Sequence, residues 1–303
     1  MKQALGLMAV AAVLAACNDR SAETVDAPGG GGTVVPPSGA AASLGDVDTA
    51  TYDAENDVVT VVVRLDGQDT IQEYVRSGDV NGYARFDQQE TPINRAFTAI
   101  GATSSDNDEL VAVVTMDGGQ FNRFFGGAVL EQGDFSAPSS GFAYFDGDYA
   151  GLVNIGQPVS PPAPPGTPSA AIPSGVSVVT GSVYMIADFT DNATEGTIYG
   201  RVLGEGGGAV ELDDVVLVNT GIATDGTFNG TAEMLDLTGV GTYSGAFGGD
   251  DATFAGGIVA LGAGAYAGVF PDSVDTTNLQ EYGLFVIDQC DPASCFTLPP
   301  PPP

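Results

Sequence analysis

Carboxylates are the groups through which this sequence could do chemistry, because imidazole is absent and amines nearly so. The chain carries 39 Asp and Glu against 8 Lys and Arg, with no His and no Trp. Lys2 is its single lysine and stands in a segment expected to be removed. Neither imidazole nor amine catalysis is then open to the mature chain. The acids come in groups, Asp46/Asp48, Asp53/Glu55/Asp57, Asp106/Asp108/Glu109, Asp146/Asp148, Asp213/Asp214 and Asp250/Asp251. Alternate oxygen ligands can hold Ca²⁺, and Asp53-x-Glu55-x-Asp57 comes nearest, yet it lacks the glycine and the distal bidentate glutamate of a calcium loop. Paired carboxylates can also cleave glycosides, but acid and nucleophile must face each other across a cleft with sugar-stacking aromatics, and no spacing here sets a pair so. Turn-forming aspartate at hairpin ends accounts for the groups better. No catalytic residue, metal ligand or cofactor is assigned, and the protein is not expected to be an enzyme. A formal net charge of −31 repels nucleic acid and anionic headgroups, so no nucleic-acid partner is expected. It suits a solvated acidic surface and leaves cations or a basic protein as partners.

The elements that carry these groups begin with residues 1–17, MKQALGLMAVAAVLAAC: a basic start, an apolar run too short to span a bilayer, and a small-residue end. Leu14-Ala15-Ala16-Cys17 resembles the lipobox of bacterial lipoprotein signal peptides, which implies cleavage before Cys17 and lipidation of that thiol. An ordinary secretory signal with a chance cysteine is the alternative. Asn18, not Asp, follows one residue on, so the resemblance carries no inner-membrane retention signal, and the expected place is the outer membrane, lipid-anchored, at the cell surface. Residues 18–43, rich in Gly, Pro, Ala and Ser, have almost nothing to bury and read as a flexible tether. In such an oxidising compartment Cys290 and Cys295 read as a disulfide, since two thiols without His make a poor zinc site. Closing so short a loop pins the end of the last strand more than it stabilises the fold.

Between these ends the chain is expected to be all-β. Residues 44–156 break into short apolar runs separated by turn signals such as Asp117-Gly118 and Asp146-Gly147, and read as a β-rich domain of six to nine strands. Val58–Leu65 and Leu110–Met116 look buried on both faces or nearly so. Residues 157–174 contain seven prolines and read as a linker between domains. Residues 175–289 supply eight short strands at even spacing, an antiparallel up-and-down barrel: 182–189, 197–203, 210–218, 227–235, 241–248, 253–261, 265–270 and 282–288. Residues 290–303 are a cysteine-clipped, proline-rich tail. Within Gly241–Ile258, Tyr243 and Phe247 share a face with Gly241 and Gly245, and Phe254, Gly256 and Ile258 resume the alternation beyond an acidic turn. Large side chains alternating with none suit the inside of a small closed barrel.

Three barrel motifs carry a resemblance. Phe189, Gly196, Ile198 and Gly200 are followed by Thr227, Phe228, Asn229, Gly230, Thr231 and Ala232, then by Gly241, Tyr243, Gly245, Phe247, Gly248 and Gly249, and by Ala255, Gly256 and Gly257. Over about 115 residues this order is similar to the barrel of transferrin-binding protein B and related bacterial surface lipoproteins. The resemblance implies an eight-stranded barrel beside a flatter β "handle" on a lipid-anchored body, of which one lobe fits this chain. It also implies non-enzymatic capture of a protein or small ligand, in the service of iron or haem acquisition, with a protein partner or membrane receptor. The barrel-end loops are short, which leaves the ligand open. A structural or adhesive outer-membrane lipoprotein, its barrel filled and without a ligand, is the alternative.

Overall fold

Alternating and continuous apolar runs become strands along most of the chain. A computed structural model describes residues 40–53, 56–65, 67–106, 109–204, 206–271, 274–293 and 295, and among these the chain forms seventeen strands in two antiparallel sheets. The expected signal segment with Cys17, the expected tether as far as residue 39, and the proline-rich end beyond Cys295 lie outside the described residues. Ala40–Ser43, expected to end the tether, instead open the first strand.

The first sheet contains β1 (Ala40–Gly45), β2 (Val47–Asp53), β3 (Val58–Leu65), β4 (Gln68–Val80), β5 (Tyr83–Gln88), β6 (Phe97–Thr103), β7 (Leu110–Asp117) and β8 (Gly126–Gln132). Strands β2 to β8 form a meander, and β1 returns to pair with β8. The sheet is nearly closed by one residue: the Asp46 N–H donates to the Gly126 carbonyl, while its own carbonyl accepts from the Arg64 N–H. The chain thereby crosses from the β8 ladder to the β3 ladder in a single step. Val59, Val61 and Val63 point into the sheet's interior beside Tyr74, Phe86 and Phe97. The other side chains of β3 are only partly covered, so this strand alternates instead of being buried on both faces. Strand β7 is buried along its whole length, because its outer face meets the second sheet.

The second sheet is a closed barrel of β9 (Phe142–Pro158), β10 (Ser174–Asp188), β11 (Ala193–Leu203), β13 (Val215–Gly221), β14 (Thr227–Met234), β15 (Gly239–Gly248), β16 (Phe254–Gly262) and β17 (Gln280–Asp288). The two-residue β12 (Val210–Glu211) lies against β11 outside the circuit. Closure comes from β10 pairing with β11 and β17 pairing with β9. Strand β9 was expected in the first domain, but it is the eighth barrel strand. The proline-rich stretch after it is a connection within the barrel: Pro158 lies opposite Ser174 where β10 begins. Prolines interrupt strand pairing locally without ending a domain.

Residues 265–270 do not form a strand. Ala263–Tyr266 make a short 3₁₀ turn that buries Ala265 and Tyr266 in the barrel. The run 210–218 divides at Leu212, whose N–H donates to the Arg201 carbonyl.

Three apolar clusters follow from this arrangement: one inside the barrel, one inside the first sheet, and one between the two sheets. The last joins Leu110, Ala112, Val114 and Leu130 to Leu152, Val178, Phe254, Ile258 and Leu284. Truncating any of its larger members to alanine costs about 2–5 kcal/mol.

Candidate functional site

Most of the motif residues fill the barrel. Phe228, Ala232, Tyr243 and Phe247 lie in its interior cluster. Ring centroids of Phe228 and Phe247 stand 5.0 Å apart, and Phe247 also meets Phe145 and Phe189. The glycines make room for these rings. A Cβ on Gly245 would come within 2.3 Å of the Phe228 ring, one on Gly230 within 2.6 Å of Tyr243, and one on Gly257 within 2.3 Å of Phe285. A Cβ on Gly241 would strike the Ala260 carbonyl. Phe254, Gly256 and Ile258 depart from expectation. Phe247 pairs with Ala255, so the inward parity on β16 falls on odd residues, and these three face the first sheet, with Gly256 beneath Leu110 and Leu130. Gly248 likewise faces Leu110.

One polar group of the interior escaped sequence reading. Gly200, at φ +58°, forms a bulge in β11 that shifts the inward parity from Thr194 and Ile198 to Arg201 and Leu203. Arg201 is thereby fully buried. Its Nη2 donates to Glu281 Oε2 at 2.6 Å and its Nη1 to the Asp213 carbonyl at 3.1 Å. Tyr149 and Tyr266 hydroxyls donate to the same carboxylate at 2.6 and 2.5 Å. Burial and the Glu281 charge hold both phenols well above their ordinary range. For Arg201, burial opposes the charge, but Glu281 and the two phenols outweigh it and the guanidinium pKa is raised. The only sequence signal for this group was a glycine inside a strand pattern next to the single arginine of residues 142–288. The network ties β9, β11, β17 and the 263–266 turn together.

The carboxylate groups are dispersed. Asp48 and Asp57 pair with Arg64 and Arg76, Asp53 caps Asn56, and Asp214 accepts from the Gly200 N–H. Glu55 and Asp108 lie outside the described residues. Among the described residues no three acids or cysteines gather to hold a metal ion. Cys290 and Cys295 are joined, with Cα atoms 5.7 Å apart, and the Cys290 N–H donates to the Tyr144 carbonyl, so the bridge fastens the end of β17 against β9.

One end of the barrel carries its longer connections. The connections 159–173, 204–214, 235–238 and 263–279 all leave strands at that end. They carry Ile172, Val210, Leu235, Leu237 and Val274, all exposed large apolar side chains. The β7–β8 tip joins them, since the Phe121 N–H donates to the Ala170 carbonyl at 2.7 Å. The Gln120 amide donates to both the Ile93 and Ala171 carbonyls, linking the mouth of the first sheet to the proline-rich connection. A cleft of about 550 Å³ opens between them, walled by Phe121, Asn122, Asn154, Ile172, Phe270 and Asn278. A second of about 340 Å³ adjoins it, with Ile93 and Arg95 on its wall.

Two tips at this end are strained. Phe121 and Asn122 hold φ of +56° and +57° between Gln120 and Arg123, whose backbones exchange hydrogen bonds, a two-residue turn that favours Asn-Gly. Leu237 holds φ +70° after a turn closed by its N–H on the Met234 carbonyl, a position where glycine is usual. Yet Phe121 is 59% exposed and Leu237 79%.

No protein-family model matches the chain, and no curated protein matches it. Solved structures similar to it include three of transferrin binding protein B. A single-substitution variant from Haemophilus parasuis Hp5 shares 13% identity at a TM-score of 0.42, over 82% of this chain and 45% of that one. A double-substitution variant from the same organism shares 15% at 0.39, over 80% and 44%. The isotype 1 protein of serogroup B Neisseria meningitidis shares 15% at 0.38, over 82% and 43%. The chain spans less than half the length of these proteins. The family whose barrel motifs the sequence resembles is the one to which these structures belong.

Proposed function

We propose that this protein is a lipid-anchored, non-enzymatic binding protein of the outer membrane whose loop-bearing end captures a protein partner. The observation that carries the reading is strain joined to exposure. Phe121 and Leu237 hold a left-handed backbone, at a cost of about 1–2 kcal/mol each, without burying their side chains. Strain of this kind collects at binding surfaces. The filled barrel directs the reading away from a small ligand inside it and towards a macromolecular one on its tips. The Leu14–Cys17 motif supports the anchor, and the motif resemblance adds iron or haem acquisition as the purpose of capture. The packed interior also favours the second reading, a structural or adhesive envelope protein.

Comparison of what co-purifies with the native protein and with a Phe121→Asn, Leu235→Asn, Leu237→Gly variant separates the two. Capture at this end predicts a stoichiometric partner that the folded variant loses. A partner retained by the variant rules out the tips, and a bare monomer from native cells favours the structural reading. For location, protease added to intact cells should remove the folded body, and protection until the outer membrane is opened would mean a periplasmic orientation.

A further inference from the structure

We propose that the outer wall formed by β9, β10 and β11 is a second interaction surface, one that receives arginine side chains of a protein partner. The register sets its pattern. Asp148, Ser182 and Tyr199 stand in one row across the three strands, Asp146, Tyr184 and Thr197 in the next, and Tyr144 in the row beyond. These side chains alternate with Phe145, Tyr149, Val183, Met185 and Ile198, which point into the barrel, so they face outward. The three tyrosines and Asp146 are half-buried and Asp148 is exposed. Tyr199 Oη donates to Asp146 Oδ1 at 3.0 Å, locking ring and carboxylate side by side. Phe142, 61% exposed, extends the aromatic surface, its ring centroid 6.3 Å from that of Tyr144. Further along β9 and β10 the first sheet covers their outer face at Ala150, Leu152, Val176 and Val178, and it meets the remaining wall where Tyr83 Oη donates to the Asp148 carbonyl at 2.6 Å and Asn81 Nδ2 to the Tyr149 and Gly181 carbonyls.

Three features together select the occupant. Tyrosine is enriched at protein interfaces because it combines a large rigid face with a polar tip. Burial, then the bond to Asp146, pushes Tyr199 up to about 12, so this phenol stays neutral and offers its ring while the neighbouring carboxylates supply charge. No cation of the barrel balances them: its single arginine, Arg201, is inside. Arg76 and Arg85 of the first sheet are already paired with Asp57, Asp79 and Asp87. A planar guanidinium can stack on a phenol ring and meet a carboxylate through two parallel N–H groups at once, which an ammonium cannot. The wall therefore fits arginine ahead of lysine. It stands apart from the loop tips and does not depend on them.

Because the protein lacks tryptophan, the binding of a tryptophan-tagged arginine-rich peptide to the full chain can be followed by the anisotropy of the tag alone. The arginine peptide should bind several-fold tighter than a lysine peptide of equal length. Asp146→Asn with Asp148→Asn, and separately Tyr184→Leu, should each weaken it by about tenfold, or one RT ln 10 step of 1.4 kcal/mol. Tyr184→Phe, which keeps the ring, should bind like the native chain. The loop-tip variant should also bind like the native chain, so failure of the capture reading and failure of this one are told apart. Equal weakening by Asp250→Asn with Asp251→Asn, at the β15–β16 hairpin outside the wall, would reduce the effect to net charge and overturn the proposal. Binding that emerges only after residues 296–303 are deleted would assign the wall to the chain's own proline-rich end and overturn it as well.

Discussion

Arg201 and Glu131 show how single charged residues are handled on opposite terms. Arg201 is buried and paired through its two terminal nitrogens with Glu281 and the Asp213 carbonyl, and breaking a buried pair from one side leaves an uncompensated charge. Arg201→Met should therefore lower stability in urea denaturation by about 3–5 kcal/mol. A second change, Glu281→Leu, should restore part of the loss, and no recovery would mean that packing, not charge, explains it. Glu131, on β8 opposite Ala40 and Val111, is 8% exposed. Burial pushes its carboxyl up to about 7 from an ordinary 4.5. A carboxyl raised in the folded state loses stability as pH climbs through that window, since the unfolded chain ionises first. Glu131→Gln should thus raise the melting temperature relative to the native chain at pH 8 and lose that advantage by pH 4; an equal gain at both would refute the shift. Neither role was legible in the sequence. A bulge at Gly200 turns Arg201 inward, and Glu131 is buried by strands far from it in the chain, so no local pattern announces either.

Among the elements, those whose pattern is local were readable, and those that answer to distant partners were not. Tyr243, Phe247 and the glycines between them specify their own neighbours across a hairpin, and the packed barrel wall follows. The run 265–270 sets Tyr266 and Phe270 on one parity with Gly268 between them just as well, but Tyr266 finds its hydroxyl partner on Glu281, and that long-range bond makes it a plug instead of a strand. The β14–β15 hairpin was visible as a turn, while the exposure of its leucines was not. Leu237→Gly should relieve the left-handed strain and raise stability by about 1 kcal/mol in equilibrium unfolding. The same change should weaken capture of a partner, and a stabilised variant that binds as well as the native chain would remove Leu237 from the binding surface.

The whole molecule is divided in space differently from its punctuation in sequence. Seven prolines marked a boundary, but hydrogen bonding places the change of sheet between Gln132 and Phe142. A fragment of residues 140–295 should fold cooperatively, with protected amides in hydrogen exchange, whereas residues 175–295, lacking β9, should not. Equal protection in both would show that the barrel closes without that strand. Both pieces lack the first sheet and bare the barrel side chains that pack against it, Val178, Phe254, Ile258 and Leu284 among them, so the barrel also depends on that sheet for cover.

The crossing at Asp46 has a consequence beyond architecture. With the barrel closed and the first sheet joined by one segment that bonds to β8 on one side of a residue and to β3 on the other, the molecule offers few unsatisfied strand borders to a neighbouring copy. Free borders are the templates from which edge-to-edge aggregation grows. A chain built mainly of strands is in this way protected from pairing with its own copies and can remain a population of separate molecules.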